Sequence, residues 1–265
     1  MINSPGVTPP RPTRPPRLPD RLLVAAILLP ALVFALASCS TEEPLGYASL
    51  GDSLAAGVGS SAPSQTSYSA LYRDALEERT GREVEYRQFG LSGETAESFI
   101  GGYPEEDSQL RRAESFLQGY PSARVTLSLG GNDLLRLRDA SDRRRREAIS
   151  EYGEDLDFIL QTLDGASSPS PEITVLTLYN PAPGDFTDRW TGKMNEEIRS
   201  TARANGASVA EGARAFRGRT EEYLRRYEDG GRDIHPNDAG YAALARSVLR
   251  AGGPQARDAG TTAGS

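Results

Sequence analysis

The sequence is poor in the residue types that build metal and redox sites: its 265 residues include one cysteine, one histidine and one lysine. A single cysteine excludes an internal disulfide and a CxxC redox pair, and a single histidine excludes zinc sites that need two. Arginine and lysine together number 30 against 37 acidic residues, for a net charge of −7 at pH 7. Without an excess of positive charge, a nucleic-acid partner is not indicated.

One long apolar run is present, and it lies near the N-terminus. Residues 1–20 hold seven of the 18 prolines, and residues 22–37 form an apolar run that ends in the letters LASC at 36–39. A basic stretch, an apolar stretch and small residues are the layout of a secretory signal. The LASC motif resembles the lipobox of bacterial lipoprotein signals. That resemblance implies removal of residues 1–38, diacylation of Cys39 and a short tether over 39–45.

The alternative for this segment is an uncleaved membrane anchor, although 16 apolar residues around Pro30 are short for a span. Both interpretations place the remaining chain outside the cytoplasm, because the arginines stay inside. Removing residues 1–38 takes away four Arg and one Asp and leaves a net charge of −10. An acidic body is not attracted to anionic lipid, so we expect attachment to the outer face of the membrane through the acyl chains on Cys39.

The rest of the chain reads as one domain over 46–251, followed by a small, polar tail over 252–265 that we expect to be disordered. Strand-like and helix-like patterns alternate along this domain, which is typical of an α/β fold with a parallel sheet and helices on both faces. The predicted strands are 46–50, 83–89, 124–129, 173–178 and 207–210. The predicted helices are 67–79, 104–118, 134–163, 190–205, 219–228 and 238–250.

Three short motifs follow predicted strands, and a fourth lies in the loop before the last predicted helix. They read GDSL at 51–54, GLSGET at 90–95, GGND at 130–133 and DIHPND at 233–238. Because ligands bind at the carboxyl ends of parallel strands, we expect Ser53, Gly93, Asn132 and His235 to meet on one rim of the sheet.

These residue types suit nucleophilic attack on a carbonyl. A serine hydroxyl needs a base to take its proton, and His235 is the only histidine available for Ser53. The negative charge that develops on the attacked carbonyl oxygen needs fixed donors. The backbone N–H groups of Ser53 and Gly93 and the side-chain amide of Asn132 can supply them.

The four motifs, in this order, resemble the sequence blocks of the SGNH/GDSL hydrolases, a family of serine esterases and lipases, over residues 46–250. The resemblance implies a flavodoxin-like three-layer α/β/α sandwich with a parallel five-stranded sheet, and an enzyme that needs neither a metal nor a cofactor. It also implies that Ser53 is the nucleophile and His235 the base, with Ser53, Gly93 and Asn132 as the oxyanion hole.

The sequence departs from the family pattern at the third catalytic position. The family usually places an Asp three residues before the His, where this chain has Arg232, while Asp233 lies two residues before. Residues two apart in an extended segment point to the same side, so Asp233 can reach His235. The alternative is a Ser–His dyad in which a backbone carbonyl orients the imidazole.

We therefore expect an extracytoplasmic, lipid-anchored serine ester hydrolase that acts on a small-molecule or lipid ester. The candidate substrates are lipid acyl chains, short soluble esters and O-acetyl groups on sugars. Two alternatives remain, namely a cell-wall polysaccharide O-acetyl esterase or acyltransferase on the same residues, and a surface-binding lipoprotein without catalysis. The sequence does not indicate an oligomeric state.

Overall fold

The computed structural model describes residues 43–105 and 107–252. The predicted signal over 1–38, the lipidation of Cys39 and nearly all of the expected tail lie outside these residues. Residues 43–45 of the expected tether are described, and Leu45 is buried as the first residue of a strand. The folded domain therefore begins one residue earlier than expected. In the described part of the chain, no helix combines the length and the apolar composition needed to cross a membrane.

The central sheet has five parallel strands in the order β2-β1-β3-β4-β5. Their bounds are Leu45–Gly51 (β1), Val84–Gln88 (β2), Ala123–Ser128 (β3), Glu172–Leu176 (β4) and Ser208–Ala210 (β5). All five predicted strands are present, with ends shifted by up to two residues. The order changes direction at β1, so its carboxyl end lies between two crossovers that leave in opposite directions. Such a switch point is where open α/β sheets bind ligands.

Helices cover both faces of this sheet. They are Pro63–Thr66 (α1), Tyr68–Thr80 (α2), Ala96–Ile100 (α3), Gln109–Leu117 (α4), Gly131–Leu135 (α5), Asp142–Asp164 (α6), Asp185–Ala204 (α7), Gly212–Phe216 (α8), Thr220–Tyr223 (α9) and Asp238–Ala251 (α10). Side chains of β1 alternate between two hydrophobic clusters: Ala48 and Leu50 join one, whereas Leu45 and Tyr47 join the other. Because alternate residues of a strand face opposite sides, the two clusters fill the two faces. The expected three-layer α/β/α fold is confirmed.

Four predicted helices differ from the structure. The helix expected over 104–118 begins only at Gln109, after the N-cap Ser108, and the helix expected over 190–205 begins five residues earlier, at Asp185. The helix expected over 134–163 is two helices, α5 and α6, separated by a turn, and the Ser141 side chain caps the second by accepting from the backbone N–H of Arg144. The helix expected over 219–228 is wrong beyond Tyr223. The chain there forms strand Leu224–Arg226 (β6), which pairs antiparallel with Arg232–Pro236 (β7). This hairpin lies outside the central sheet and carries the only histidine.

Candidate active site

Ser53 lies just beyond β1, at the carboxyl edge of the central sheet. The strand reaches this point by passing very close to β3: a Cβ added at Gly51 would stand 1.9 Å from the carbonyl oxygen of Ser128. Gly51 also has a φ of +121°, which favours glycine. The backbone N–H of Asp52 then donates to the same Ser128 oxygen at 3.0 Å. The glycine and this hydrogen bond fix the position from which the Ser53 side chain projects.

The side chains of Ser53, His235 and Asp233 form one hydrogen-bonded line. His235 Nε2 lies 2.9 Å from Ser53 Oγ, and His235 Nδ1 lies 2.7 Å from Asp233 Oδ1. An ionised carboxylate only accepts, so Nδ1 carries the proton that it donates to Asp233. Nε2 is then left to accept the Ser53 hydroxyl. Two-residue spacing in β7 therefore brings the carboxylate and the imidazole together.

Asp233 is 7% exposed and sits in an environment that keeps it ionised. Burial works against the charge, but hydrogen bonds from His235 and Tyr227, with the favourable electrostatic interaction with His235, outweigh it and hold the pKa of Asp233 below its usual value. Arg225 adds a guanidinium 3.9 Å from the second carboxylate oxygen. The carboxylate is thus available to orient the imidazole and to stabilise a positive charge on it.

The hairpin that carries this pair is fixed to the main domain. The hydroxyl of Tyr179, just after β4, donates to the Ile234 carbonyl oxygen at 2.6 Å. Asn237 donates through its side-chain amide to the carbonyl oxygens of Glu222 and Leu224. Its Oδ1 also accepts from the N–H of Gly240, which caps α10. The base is held by contacts with three elements, although the hairpin itself is short.

The three residues whose N–H groups are predicted to donate to the substrate carbonyl oxygen lie on neighbouring loops. Asn132, in the first turn of α5, donates one side-chain N–H to the Glu94 carbonyl oxygen at 2.8 Å, which leaves its second N–H free of that bond. In the described residues, the N–H groups of Ser53 and Gly93 donate no backbone hydrogen bond. An added Cβ at Gly93 meets nothing within 4 Å, so its φ of +87° is the reason that glycine is required there.

A cleft opens beside Ser53. Ser53, Asn132 and His235 line it, whereas Gly93 is not among its lining residues. Most of the remaining wall is apolar and comes from α5, α7, the segment after β4 and the hairpin: Leu134, Leu135, Leu178, Tyr179, Pro181, Phe186 and Ile234. Neither Arg nor Lys contributes to the wall. The cleft is therefore shaped for an uncharged, apolar group next to the serine.

Asp52 is a second carboxyl beside the serine that the sequence motifs did not mark as titrating. Burial raises the pKa of Asp52 from 3.8 to about 7. Its Oδ1 accepts both the Leu54 N–H and the Ser128 hydroxyl at 3.0 Å. Asp52 thus connects the turn after β1 to β3 and does not contact His235 by any hydrogen bond of the described residues.

No group of three or more His, Cys, Asp or Glu side chains among residues 43–105 and 107–252 is arranged to hold a metal ion. The chemical capacity of the site lies in its serine, imidazole, carboxylate and amide groups. A hydroxyl with a hydrogen-bonded base, next to free N–H donors and an apolar cleft, can carry out acyl transfer.

Comparison with known proteins agrees with this chemistry. The model of the GDSL-like Lipase/Acylhydrolase family matches residues 49–243. Among solved structures, a lipase from a goat rumen metagenome is 25% identical, with a TM-score of 0.61, over 78% of this chain and 97% of its own. An acetylxylan esterase from Geobacillus stearothermophilus is 20% identical, with a TM-score of 0.56, over 79% of this chain and 94% of its own. A member of the lipolytic protein G-D-S-L family from Veillonella parvula is 16% identical, with a TM-score of 0.57, over 78% of this chain and 97% of its own. No curated protein matches the sequence.

Proposed function

The chain belongs to the GDSL-like Lipase/Acylhydrolase family, and from this premise we propose that it hydrolyses carboxylic esters through Ser53, His235 and Asp233. The observation that carries the proposal is the unbroken line of hydrogen bonds, 2.9 Å from Ser53 Oγ to His235 Nε2 and 2.7 Å from His235 Nδ1 to Asp233 Oδ1. A nucleophile, a base and an orienting carboxylate in this relation activate the hydroxyl without a metal or a cofactor.

The reaction has two halves. In acylation, Ser53 Oγ forms a bond to the ester carbonyl carbon while its proton moves to His235 Nε2, and the tetrahedral intermediate then expels the alcohol, which takes that proton. In deacylation, water attacks the acyl-enzyme and gives a proton to Nε2. The carboxylic acid leaves as the proton returns to Ser53 Oγ. Asp233 remains ionised throughout and stabilises the imidazolium.

The carbonyl oxygen is proposed to bind to the N–H groups of Ser53 and Gly93 and to the free side-chain N–H of Asn132. These donors are fixed before substrate arrives, because Gly93 is held in a turn and the Asn132 amide is already bound to Glu94. Fixed donors lower the barrier because no reorganisation is needed when the charge develops. Loss of one such donor typically costs on the order of 10²–10³ in kcat.

The apolar wall of the cleft favours an acyl chain longer than acetyl. Burial of each further methylene gains about 0.8 kcal/mol, which corresponds to roughly a fourfold rise in kcat/KM. Removal of an acetyl group from a sugar is the second candidate, because an acetylxylan esterase shares the fold. A carbohydrate needs polar partners, however, and the Thr187 hydroxyl in this wall is already bonded to the Ala182 and Gly184 carbonyl oxygens.

We also propose that the enzyme is a lipoprotein anchored through Cys39 on the outer face of the membrane. The signal-like segment and the LASC motif at 36–39 support this. The intact mass of the membrane form is expected to correspond to residues 39–265 with a diacylglyceryl group. Cys39→Ser is expected to stop that modification. Recovery of the full 1–265 chain from membranes would instead favour the uncleaved anchor.

The proposed activity is tested on the full chain in detergent with p-nitrophenyl acetate, butyrate and octanoate. Ser53→Ala and His235→Ala are each expected to reduce kcat by on the order of 10³-fold or more. Ser170→Ala is the matched control, because Ser170 is exposed before β4, at the opposite end of the strands. A rise in kcat/KM from acetate to octanoate favours the acyl cleft, and activity confined to acetyl esters favours the sugar deacetylase. A folded chain that is inert on every ester contradicts the proposal and leaves the binding lipoprotein.

A further inference from the structure

The buried amide of Gln109 joins two of the loops that hold the proposed oxyanion donors. Gln109 is the first residue of α4 and is 2% exposed. Its Oε1 accepts the Gly51 N–H at 2.7 Å, and its Nε2 donates to the Gly51 carbonyl oxygen at 3.0 Å. The same Nε2 donates to Glu94 Oε2 at 2.7 Å. These partners fix the orientation of the amide, because a flipped amide would face its N–H groups towards the Gly51 N–H.

Glu94 connects Gln109 to Asn132. The Glu94 side chain is 7% exposed, with one oxygen bound to Gln109 and the other to the Ser98 hydroxyl. Its backbone carbonyl oxygen accepts from Asn132 Nδ2 at 2.8 Å. The side chain of Glu94 therefore binds to α4, while its backbone carbonyl oxygen holds the Asn132 amide. Gly93, another proposed donor, is its immediate neighbour in the chain.

A continuous path of hydrogen bonds thus runs from Gly51 through Gln109 and Glu94 to Asn132. Gly51 lies two residues before Ser53, Glu94 directly follows Gly93, and Asn132 is itself a donor. The path connects the three segments that carry the Ser53 N–H, the Gly93 N–H and the Asn132 amide. No other side chain among the described residues bonds to both Gly51 and Glu94.

We propose that Gln109, acting through Glu94, is a positioning residue that sets the geometry of the oxyanion hole. This inference rests on the proposed function, since it assigns a role to the same donors. Gln109 does not line the cleft and touches no reacting atom. Its effect comes from holding the Ser53 and Gly93 loops at a fixed separation while Glu94 aims the Asn132 amide. Donors stabilise a developing charge only when they are held close to the position that the oxyanion will occupy.

Loss of the Gln109 amide removes hydrogen bonds both at Gly51 and at Glu94. The Gly51 N–H loses its side-chain partner, the Gly51 carbonyl oxygen keeps the Leu91 N–H at 3.0 Å, and the buried Glu94 carboxylate keeps only the Ser98 hydroxyl. Buried polar groups do not stay unpaired cheaply, so the Glu94 loop shifts to find new partners. Because the Glu94 carbonyl oxygen moves with the loop, the Asn132 amide and the Gly93 N–H move too. The chemical step is therefore affected more than substrate binding.

The first test is Gln109→Met in the full chain with p-nitrophenyl butyrate. We expect kcat to fall about 10- to 100-fold, a part of what complete loss of a donor costs, while KM changes less than threefold. Thr126→Val is the matched control, because it removes an equally buried hydrogen bond, Thr126 Oγ1 to the Tyr47 hydroxyl at 2.9 Å. It is expected to lower Tm to a similar extent without changing kcat. Equal kcat values for wild type and Gln109→Met would overturn the proposal.

The second test is Gln109→Glu, which keeps the shape and remains informative if the Met variant does not fold. A protonated carboxyl at this position can accept from Gly51 and donate to Glu94, whereas an ionised one repels the Glu94 carboxylate. The ratio of kcat in this variant to kcat in wild type is therefore expected to rise as the pH falls from 8 to 6. A ratio independent of pH would contradict a role through Glu94.

The third test combines Gln109→Met with Asn132→Ala. Once the Asn132 amide is gone, the Met substitution is expected to cost several-fold less in kcat than it does alone. Fully additive losses would mean that Gln109 does not act on the oxyanion hole. Failure of the proposed function is distinguishable, because it appears as an inactive wild type or an active Ser53→Ala variant. A wild type that depends on Ser53 but is insensitive to Gln109 rejects this inference alone.

Discussion

Gly59 lies directly against His235. A Cβ added at Gly59 would stand 2.9 Å from the Cβ of His235 and 2.5 Å from the carbonyl oxygen of Pro236. The turn that follows Ser53 therefore packs on the strand that carries the proposed base. Tyr241, in α10, strengthens the same contact by donating its hydroxyl to the Val58 carbonyl oxygen at 2.6 Å. The turn after the nucleophile thus helps to set the position of the base.

Gly59→Ala is expected to reduce kcat by about 10- to 100-fold, because a displacement of His235 by about 1 Å can cost that much. The φ of +95° adds backbone strain of about 1–2 kcal/mol. Gly81→Ala is the matched control, since Gly81 has a φ of +67° but nothing lies within 4 Å of an added Cβ. Both variants should lose stability in thermal unfolding, and only Gly59→Ala should lose activity. Similar kcat values for the two would contradict the steric argument.

Asp233→Asn tests whether the carboxylate orients the imidazole. We expect kcat to fall on the order of 10³–10⁴-fold, because the neutral amide no longer holds Nδ1 as the protonated nitrogen. Asp229→Asn is the control on the same hairpin, where the carboxylate only accepts from the Gly231 N–H at 2.8 Å. A loss of less than tenfold in Asp233→Asn would support the dyad oriented by a backbone carbonyl.

Asp52 makes stability depend on pH. Its folded pKa of about 7 lies above the ordinary 3.8, so between these values the folded state binds more protons than the unfolded state. The resulting stabilisation is complete below about pH 4 and is lost as the pH rises through about 7. Asp52→Asn keeps an oxygen that can accept from Leu54 and Ser128 and removes the charge.

The Asp52→Asn variant is therefore expected to unfold at a higher urea concentration than wild type at pH 9. The difference in the free energy of unfolding is at most about 4 kcal/mol at pH 9 and vanishes towards pH 4. Urea unfolding at several pH values measures this. Asp139→Asn, at an exposed position, should show no such trend. A constant difference between Asp52→Asn and wild type across pH would show that the charge of Asp52 is not its cause.

Leu135→Trp tests the acyl cleft. Leu135 is half-buried in the cleft wall, so a larger side chain there takes room from a long acyl chain. We expect the ratio of kcat/KM for octanoate to that for acetate to fall about tenfold or more. Leu137→Trp, two residues along and outside the wall, should leave the ratio unchanged. An unchanged ratio in Leu135→Trp would place the acyl chain elsewhere.

Much of the fold could be predicted because its signals are local. Runs such as RVTLSL at 124–129 alternate polar with apolar residues and lie between turn residues, so strand periodicity sufficed. The hairpin β6–β7 was missed because its first strand has three residues rich in Leu and Arg, which also suit a helix. The Asp229-Gly230-Gly231 turn was the available signal for a hairpin.

The site residues likewise fall into those that local sequence motifs reveal and those that depend on tertiary packing. Ser53, Gly93 and Asn132 stand in short motifs next to strand ends, so sheet topology alone places them on neighbouring loops. His235 also stands in a motif, but it lies in the hairpin outside the central sheet, so that topology does not place it. Gln109 stands in no motif, and its contacts depend on how α4 docks against β1. Asp52 is within a motif, but its raised pKa comes from burial, which depends on the packed structure. Such effects become visible only when tertiary neighbours are known.

The hairpin that bears His235 is a two-stranded sheet of its own, whereas Ser53 stands at the end of a fully buried strand of the five-stranded sheet. Elements with few contacts open at lower free energy than the core. Heat should therefore separate imidazole from hydroxyl while the sheet is still intact, so catalysis fails at a lower temperature than the fold. On cooling from that range, activity should return at once, because no refolding is needed.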